Sequence, residues 1–274
     1  MSITLSLYLR SYLLSVLQIY HDQFVYFKGL DVFDFNSYQP QIVLTKNEDQ
    51  IVYKSAFCLT LARFYQIKPR TFATDIAAIF EEVVNSDKNI TVLVSGEGWL
   101  EFTISNRSLA EYLYFLSVTK FPKLDNHEIK TEIDFNFIYT HGRFCCLLRS
   151  AQQQNLLDLD NNNFVLNQWQ VMNLDKTIYE YLIFLKQEDL SLIKSLIYCA
   201  EMIFSDGVKV NYFNLLKILN QALMDWEKNC RIWGETKNSY LSLAQARLGL
   251  SAIALNYYQN LSYLVFRRIL PSQL

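Results

Sequence analysis

The chain has 274 residues, of which 51% are hydrophobic and 15% aromatic, with a formal net charge of −2. That length accommodates one large domain or two of ordinary size, and that apolar content supplies a core and excludes a disordered chain. Residues 1–124 carry 11 Lys and Arg against 12 Asp and Glu, and the remainder carries 14 against 15, so neither half is a basic module and any nucleic-acid contact must come from a local patch.

Seven Gly and four Pro favour helices over many short strands joined by turns. A helix is expected over 3–20, where Leu5, Leu9, Leu13, Val16, Leu17 and Tyr20 recur at three- and four-residue steps. Arg10 interrupts this apolar start and no small-residue cleavage site follows, so neither a signal peptide nor a membrane span is expected. A short strand is expected over 41–45 and a helix over 52–65. Pro69 suits a first helical position, where its missing N–H is harmless, and Phe72, Ile76, Ile79, Phe80 and Val83 form the inner face of the helix that follows. Residues 90–95 and Trp99–Ile104 are β-rich, with Gly96-Glu97-Gly98 as the turn between them. A helix over 106–117 completes an α+β domain over 1–117. The polar, aperiodic stretch 118–132 contains Pro122 and is expected to be a linker. From 133 to 274 an all-α bundle is expected, with helices at 134–153, 175–186, 189–204, 210–229 and 240–267. Gly207 is placed as a helix stop, and a long loop spans 154–174. In the last helix Leu243, Ala246, Leu250, Ile253, Ala254, Tyr257, Leu261, Leu264 and Val265 are expected on one face.

The most informative stretch is Tyr139-Thr140-His141-Gly142-Arg143-Phe144-Cys145-Cys146-Leu147-Leu148-Arg149-Ser150-Ala151. It resembles the helix that opens the DALR anticodon-binding domain of arginyl-tRNA synthetases, roughly Y-x-H-x-R-φ-x-φ-φ-R-x-A with φ apolar. Trp226-Glu227-Lys228-Asn229-Cys230-Arg231-Ile232 is similar to that domain's F-Y-x-x-C-R-V, and Ala246-Arg247-Leu248-Gly249-Leu250 to the A-R-L-x-L of its last helix. Upstream, Tyr53-Lys54-Ser55-Ala56 through Ile76 resembles the synthetases' N-terminal additional domain, and Val94–Phe102 resembles its V-A-G-P-G-[FY]-[IL]-N-F. The catalytic core between these domains has no counterpart. Only 36 residues separate Phe102 from Tyr139, where a nucleotide-binding domain needs on the order of 100–150. None of the three His (His21, His127, His141) stands in an H-x-G-H context, and no K-M-S-K stretch exists. Arginine–tRNA ligase activity is therefore not expected, and neither is a cofactor.

The resemblance implies contacts to tRNA, of the arginine type, at both ends of the chain. In the first block the implied residues are Trp99, Glu101 and Phe102. The family's Asn position is Glu101 here; a carboxylate only accepts and repels phosphate, whereas Asn donates as well. In the second block they are Tyr139, His141 and Arg143, with the Tyr ring set against an anticodon base, in the way unpaired bases are commonly held. Trp226, Lys228, Arg231, Trp233 and Lys237 form a basic–aromatic cluster, in which the two Trp share a face if the helix continues and the cations reach phosphates. Each set also has a structural reading: polar groups bracing neighbouring helices, a Trp covering the sheet, and an aromatic stripe facing the core.

Other patterns lead nowhere. Asp158-x-Asp160-x-Asn162 begins like a calcium loop, but Asn163 stands where Gly is required and Trp169 where Glu is. His127-Glu128 lacks the second His of a zinc helix, residue 131 being Thr. Five Cys without paired spacing read as free thiols in a reducing cytosol. The expected function is a non-catalytic, cytoplasmic tRNA-binding protein related to arginyl-tRNA synthetase. The alternatives are a scaffold derived from the same domains that docks on a protein partner, or a subunit that completes a catalytic fragment in trans.

Overall fold

A computed structural model describes residues 4–28, 38–47, 49–84, 89–122, 129–159, 169, 171, 176–184, 187–205 and 210–273. The expected stop at Gly207, His127 and most of the 154–174 loop lie outside the described residues. The chain divides into two compact units, Met1–Ser108 and Leu109–Leu274. The architecture is mainly helical, an α+β unit followed by a helical one.

The first unit opens with α1 (Leu5–Lys28). Thr4 starts it, its Oγ1 accepting from the Leu7 N–H at 3.2 Å as N-terminal hydroxyls do. Leu5, Leu9, Leu13, Val16, Leu17 and Tyr20 are buried, and α1 packs on α3 (Pro69–Val84). Four antiparallel strands, β1 (Val43–Leu44), β2 (Val52–Ser55), β3 (Ile90–Ser95) and β4 (Trp99–Ile104), lie in the order β1-β2-β4-β3. The helix expected over 52–65 is a correction. Val52–Ser55 is a strand paired to β4 with Tyr53 opposite Phe102, and helix resumes only as α2 (Phe57–Leu61). Burying Ile51, Val52, Tyr53 and Ser55 against the sheet outweighs local helical preference. At the β3–β4 turn Gly98 has φ +131°, and a Cβ there would stand 2.8 Å from the Pro69 carbonyl carbon and oxygen. Only glycine lets this hairpin meet the start of α3. Phe80 against Phe102 (ring centroids 5.3 Å) and Tyr20 and Tyr65 against Phe72 (5.0 Å each) fill the interior.

Helix α4 (Asn106–Val118) leads into the second unit. That unit comprises α5 (Phe135–Gln153), a 3-10 segment (Lys176–Phe184), α6 (Gln187–Ile203), α7 (Tyr212–Asn229), α8 (Glu235–Ser239) and α9 (Leu241–Phe266). The segment expected as a helix over 175–186 thus winds more tightly, and α8 has no counterpart among the expected elements. The single apolar face expected for the last helix is also corrected. Every residue from Ala246 to Leu255 is buried, because α5, α6, α7, α8 and the 3-10 segment all pack on α9. A helix apolar all round is a central helix.

Candidate functional site

Helix α5 carries the Tyr139–Ala151 motif. Asp134 caps it, its carboxylate accepting from the Asn136 N–H at 2.8 Å. Phe137, Thr140, His141, Phe144, Cys145, Leu148 and Ala151 face inward. Each residue advances a helix by about 100°, so Tyr139 and Arg143 share a face and His141 lies nearly opposite. Phe135, one turn before Tyr139, joins the outer face. Phe135 is 68% exposed, Tyr139 37% and the Arg143 side chain 51%, and the two rings stand 6.3 Å apart between centroids. The Arg143 Nε donates to the Glu227 carboxylate of α7. The outcome is an aromatic–aromatic–cation stripe along one side of α5. Phe135 went unnoticed in the sequence, although its four-residue step to Tyr139 is the signal that finds it.

His141 is buried, which corrects its expected role at an RNA surface. Its Nδ1 lies 2.8 Å from the Pro271 carbonyl and its Nε2 2.9 Å from the Gln259 Nε2. A carbonyl only accepts and an amide nitrogen only donates, so the proton sits on Nδ1 and the imidazole is neutral. Burial lowers its pKa below the usual value, and the nearby Arg149 acts in the same direction. Arg149 holds the same tail, donating to the Ser272 carbonyl and to its Oγ at 2.7 Å each. Two polar residues of the motif therefore fasten the segment after α9 onto α5. Cys145 lies 3.7 Å from His141 Nε2, but burial pushes its thiol up to about 12, which removes it as a nucleophile.

The basic–aromatic cluster is not one surface. α7 ends at Asn229 and Cys230 is extended, so Trp226 and Trp233 do not share a helical face. Trp226 is buried and donates its indole N–H to Asp189 at 2.8 Å. The same carboxylate, itself fully buried, receives Arg247 through Nη2 at 2.7 Å and Nε at 3.1 and 3.2 Å. Arg247 also donates from Nη1 to the Arg231 carbonyl at 2.9 Å, closing the segment after α7 onto α9. Asp189 carries no separate signal in the local pattern, and Arg247 is marked only as part of A-R-L-x-L. Lys228 is 3.7 Å from Asp225, Lys237 donates to Gln154 at 2.6 Å, the Arg231 side chain is exposed, and Trp233 is half-buried.

In the first unit Phe102 is fully buried and presents no surface to a ligand, a third correction among the expected contacts after His141 and Trp226. Trp99 is 41% exposed at the start of β4. Glu101 faces Lys54 across β2 and β4, with its carboxylate 2.8 Å from the ammonium. Hydrogen bonds from Lys54 and then Ser95 hold that carboxyl below its ordinary range. Glu101 is thus one half of a cross-strand pair that also neutralises a cation.

Among the described residues no group of three or more His, Cys, Asp or Glu is placed to hold a metal ion, and no helix is long and apolar enough to cross a membrane. The five Cys are free, four of them buried. No protein-family model, curated protein or solved structure matches the chain.

Proposed function

We propose that this is a non-catalytic tRNA-binding protein whose second unit holds unpaired bases along the outer face of α5. The observation that carries the reading is the exposed Phe135–Tyr139–Arg143 stripe, set on the helix whose motif resembles an anticodon-binding domain. Exposed aromatic rings hold unpaired bases by stacking on their faces, which tolerates any base. Two rings in succession accept consecutive bases, and Arg143 at the end of the row reaches a phosphate once it exchanges Glu227 for the stronger local anion. The overall charge of −2 restricts attraction to this local patch, so few phosphates are contacted and affinity falls only shallowly with salt.

The alternative is a scaffold that docks on a protein partner. Its support is the pairing of Arg143 with Glu227, Lys54 with Glu101, and Lys228 with Asp225, which leaves these cations already neutralised. The readings separate in a titration of labelled tRNA with the full chain. The tRNA reading expects Tyr139→Ala to weaken binding by about 1–3 kcal/mol, the contribution of one stacked base, across tRNA species alike. Equal binding by parent and variant removes it and leaves the scaffold.

A further inference from the structure

The two edges of the β1-β2-β4-β3 sheet are built differently. β1 is two residues long and is followed by Thr45 and the exposed Lys46; shortness and lysine are common guards of an exposed edge. β3, the other edge, runs for six residues, Ile90-Thr91-Val92-Leu93-Val94-Ser95, without charge, proline or glycine. Its register against β4 is unbroken from Ile90 opposite Ile104 to Ser95 opposite Trp99, so no bulge turns it aside. Leu93 is 58% exposed and Thr91 is exposed on the outer face of the sheet, whereas Ile90 and Val92 are buried on the inner face. The phase of the β3–β4 ladder identifies the backbone groups that this edge leaves over. The Ser105 N–H donates to the Asn89 carbonyl at 3.0 Å, and bonded and non-bonded pairs alternate along an antiparallel ladder. Thr91, Leu93 and Ser95 therefore bond to β4, and Ile90, Val92 and Val94 direct their N–H and C=O groups outward. Ile104 agrees, since its N–H donates at 3.0 Å to the Ile51 carbonyl, away from Ile90. Among the described residues no backbone group outside the sheet bonds to these three.

We propose that β3 pairs antiparallel with β3 of a second copy of this chain, about a two-fold axis at Val92. In that register the two Val92 residues face each other, and Ile90 of each copy faces Val94 of the other. Each such pair exchanges two N–H···O bonds, so every outward group of the edge is used. The neighbouring register, about Leu93, would set Ile90 against Gly96, whose φ of +54° already belongs to the turn. On the inner face the new pairs are all apolar and extend the buried layer. On the outer face Thr91 of each copy meets Leu93 of the other, which covers an exposed leucine. A second copy is the occupant because β3 is complementary to itself. It brings no charge against its like at the axis, and the contact closes on two copies. The inference stands apart from the RNA-binding reading, which concerns the second unit.

Sedimentation of the full chain from about 1 to about 100 μM, the range suited to a small interface, should show monomer passing into dimer. Hydrogen–deuterium exchange at the two ends of that range locates the contact. The Val92 and Val94 amides should exchange several-fold more slowly in the concentrated sample, while those of Thr91 and Leu93, already bonded to β4, stay slow in both. Leu93→Lys changes an exposed side chain and sets two cations beside the axis. It should raise the dissociation constant about tenfold or more, with the circular dichroism of the monomer unchanged. Val94→Pro removes an outward N–H that β4 does not use and should weaken the dimer likewise. A chain that stays monomeric throughout overturns the proposal. So does a dimer that neither variant weakens, or one in which the Val92 and Val94 amides exchange as they do in the monomer. If either variant fails to fold, the exchange pattern of the parent decides alone.

Discussion

His141 and Asp189 are buried polar residues whose partners give them structural work. His141 is held neutral between a carbonyl and an amide, and its pKa lies below the usual 6.5. On acidification the unfolded chain protonates this residue first, so the native state loses relative stability as pH falls below about 6.5 and keeps it above. Thermal melts from pH 7.5 to 5 should show a steeper acid decline in the parent than in His141→Gln, which can still donate to the tail. Identical slopes would contradict the assignment. Asp189 accepts from Trp226 and Arg247 at once, and removing it strands a buried guanidinium. Asp189→Ala should therefore cost about 3–5 kcal/mol in urea unfolding, the loss typical of a broken buried pair; a change under ~1 kcal/mol, the scale of a surface pair, would contradict it. The motif Tyr139-x-His141-x-Arg143 was readable as three polar residues on a helix. Which of them turns inward is decided by α9, through Gln259 and Tyr258, which lie far along the chain and carry no mark in the local pattern.

At the scale of elements, periodicity located most helices and the β3–β4 hairpin, because each is specified by its own spacing and turn residues. It failed where partners decide. Val52–Ser55 is a strand because β4 offers edges to pair with. α9 is buried all round because five other elements surround it. The end of α7 at Asn229 falls where the helix was expected to end, so the helix does not continue far enough for Trp226 and Trp233 to share a face. The strand pairing also changes what Glu101 means. Opposite Lys54 at 2.8 Å, it screens a cation as well as repelling phosphate. Glu101→Asn should release Lys54, tighten tRNA binding and steepen its logarithmic salt dependence by about one. Titrations at several salt concentrations read both quantities. An unchanged slope would confine RNA contacts to the second unit.

For the whole molecule, the order of the motifs leads to an expectation, the tRNA-handling ends of a synthetase, with 36 residues between Phe102 and Tyr139, too few for a nucleotide-binding domain. That expectation rests on the sequence motifs alone. Motif order does not separate accessible residues from buried ones, so Phe102, His141 and Trp226 enter as expected contacts and Phe135 does not. An exposed stripe of two rings and an arginine is the feature on which an RNA-binding role depends, and photocrosslinking reports on it directly. Full-length chain mixed with tRNA is irradiated, digested, and the modified residues are mapped by mass spectrometry. Adducts on Phe135 and Tyr139, lost on addition of excess unlabelled tRNA, are the expected result. Saturable adducts confined to other surfaces, or none on a chain that captures a protein partner, would contradict it.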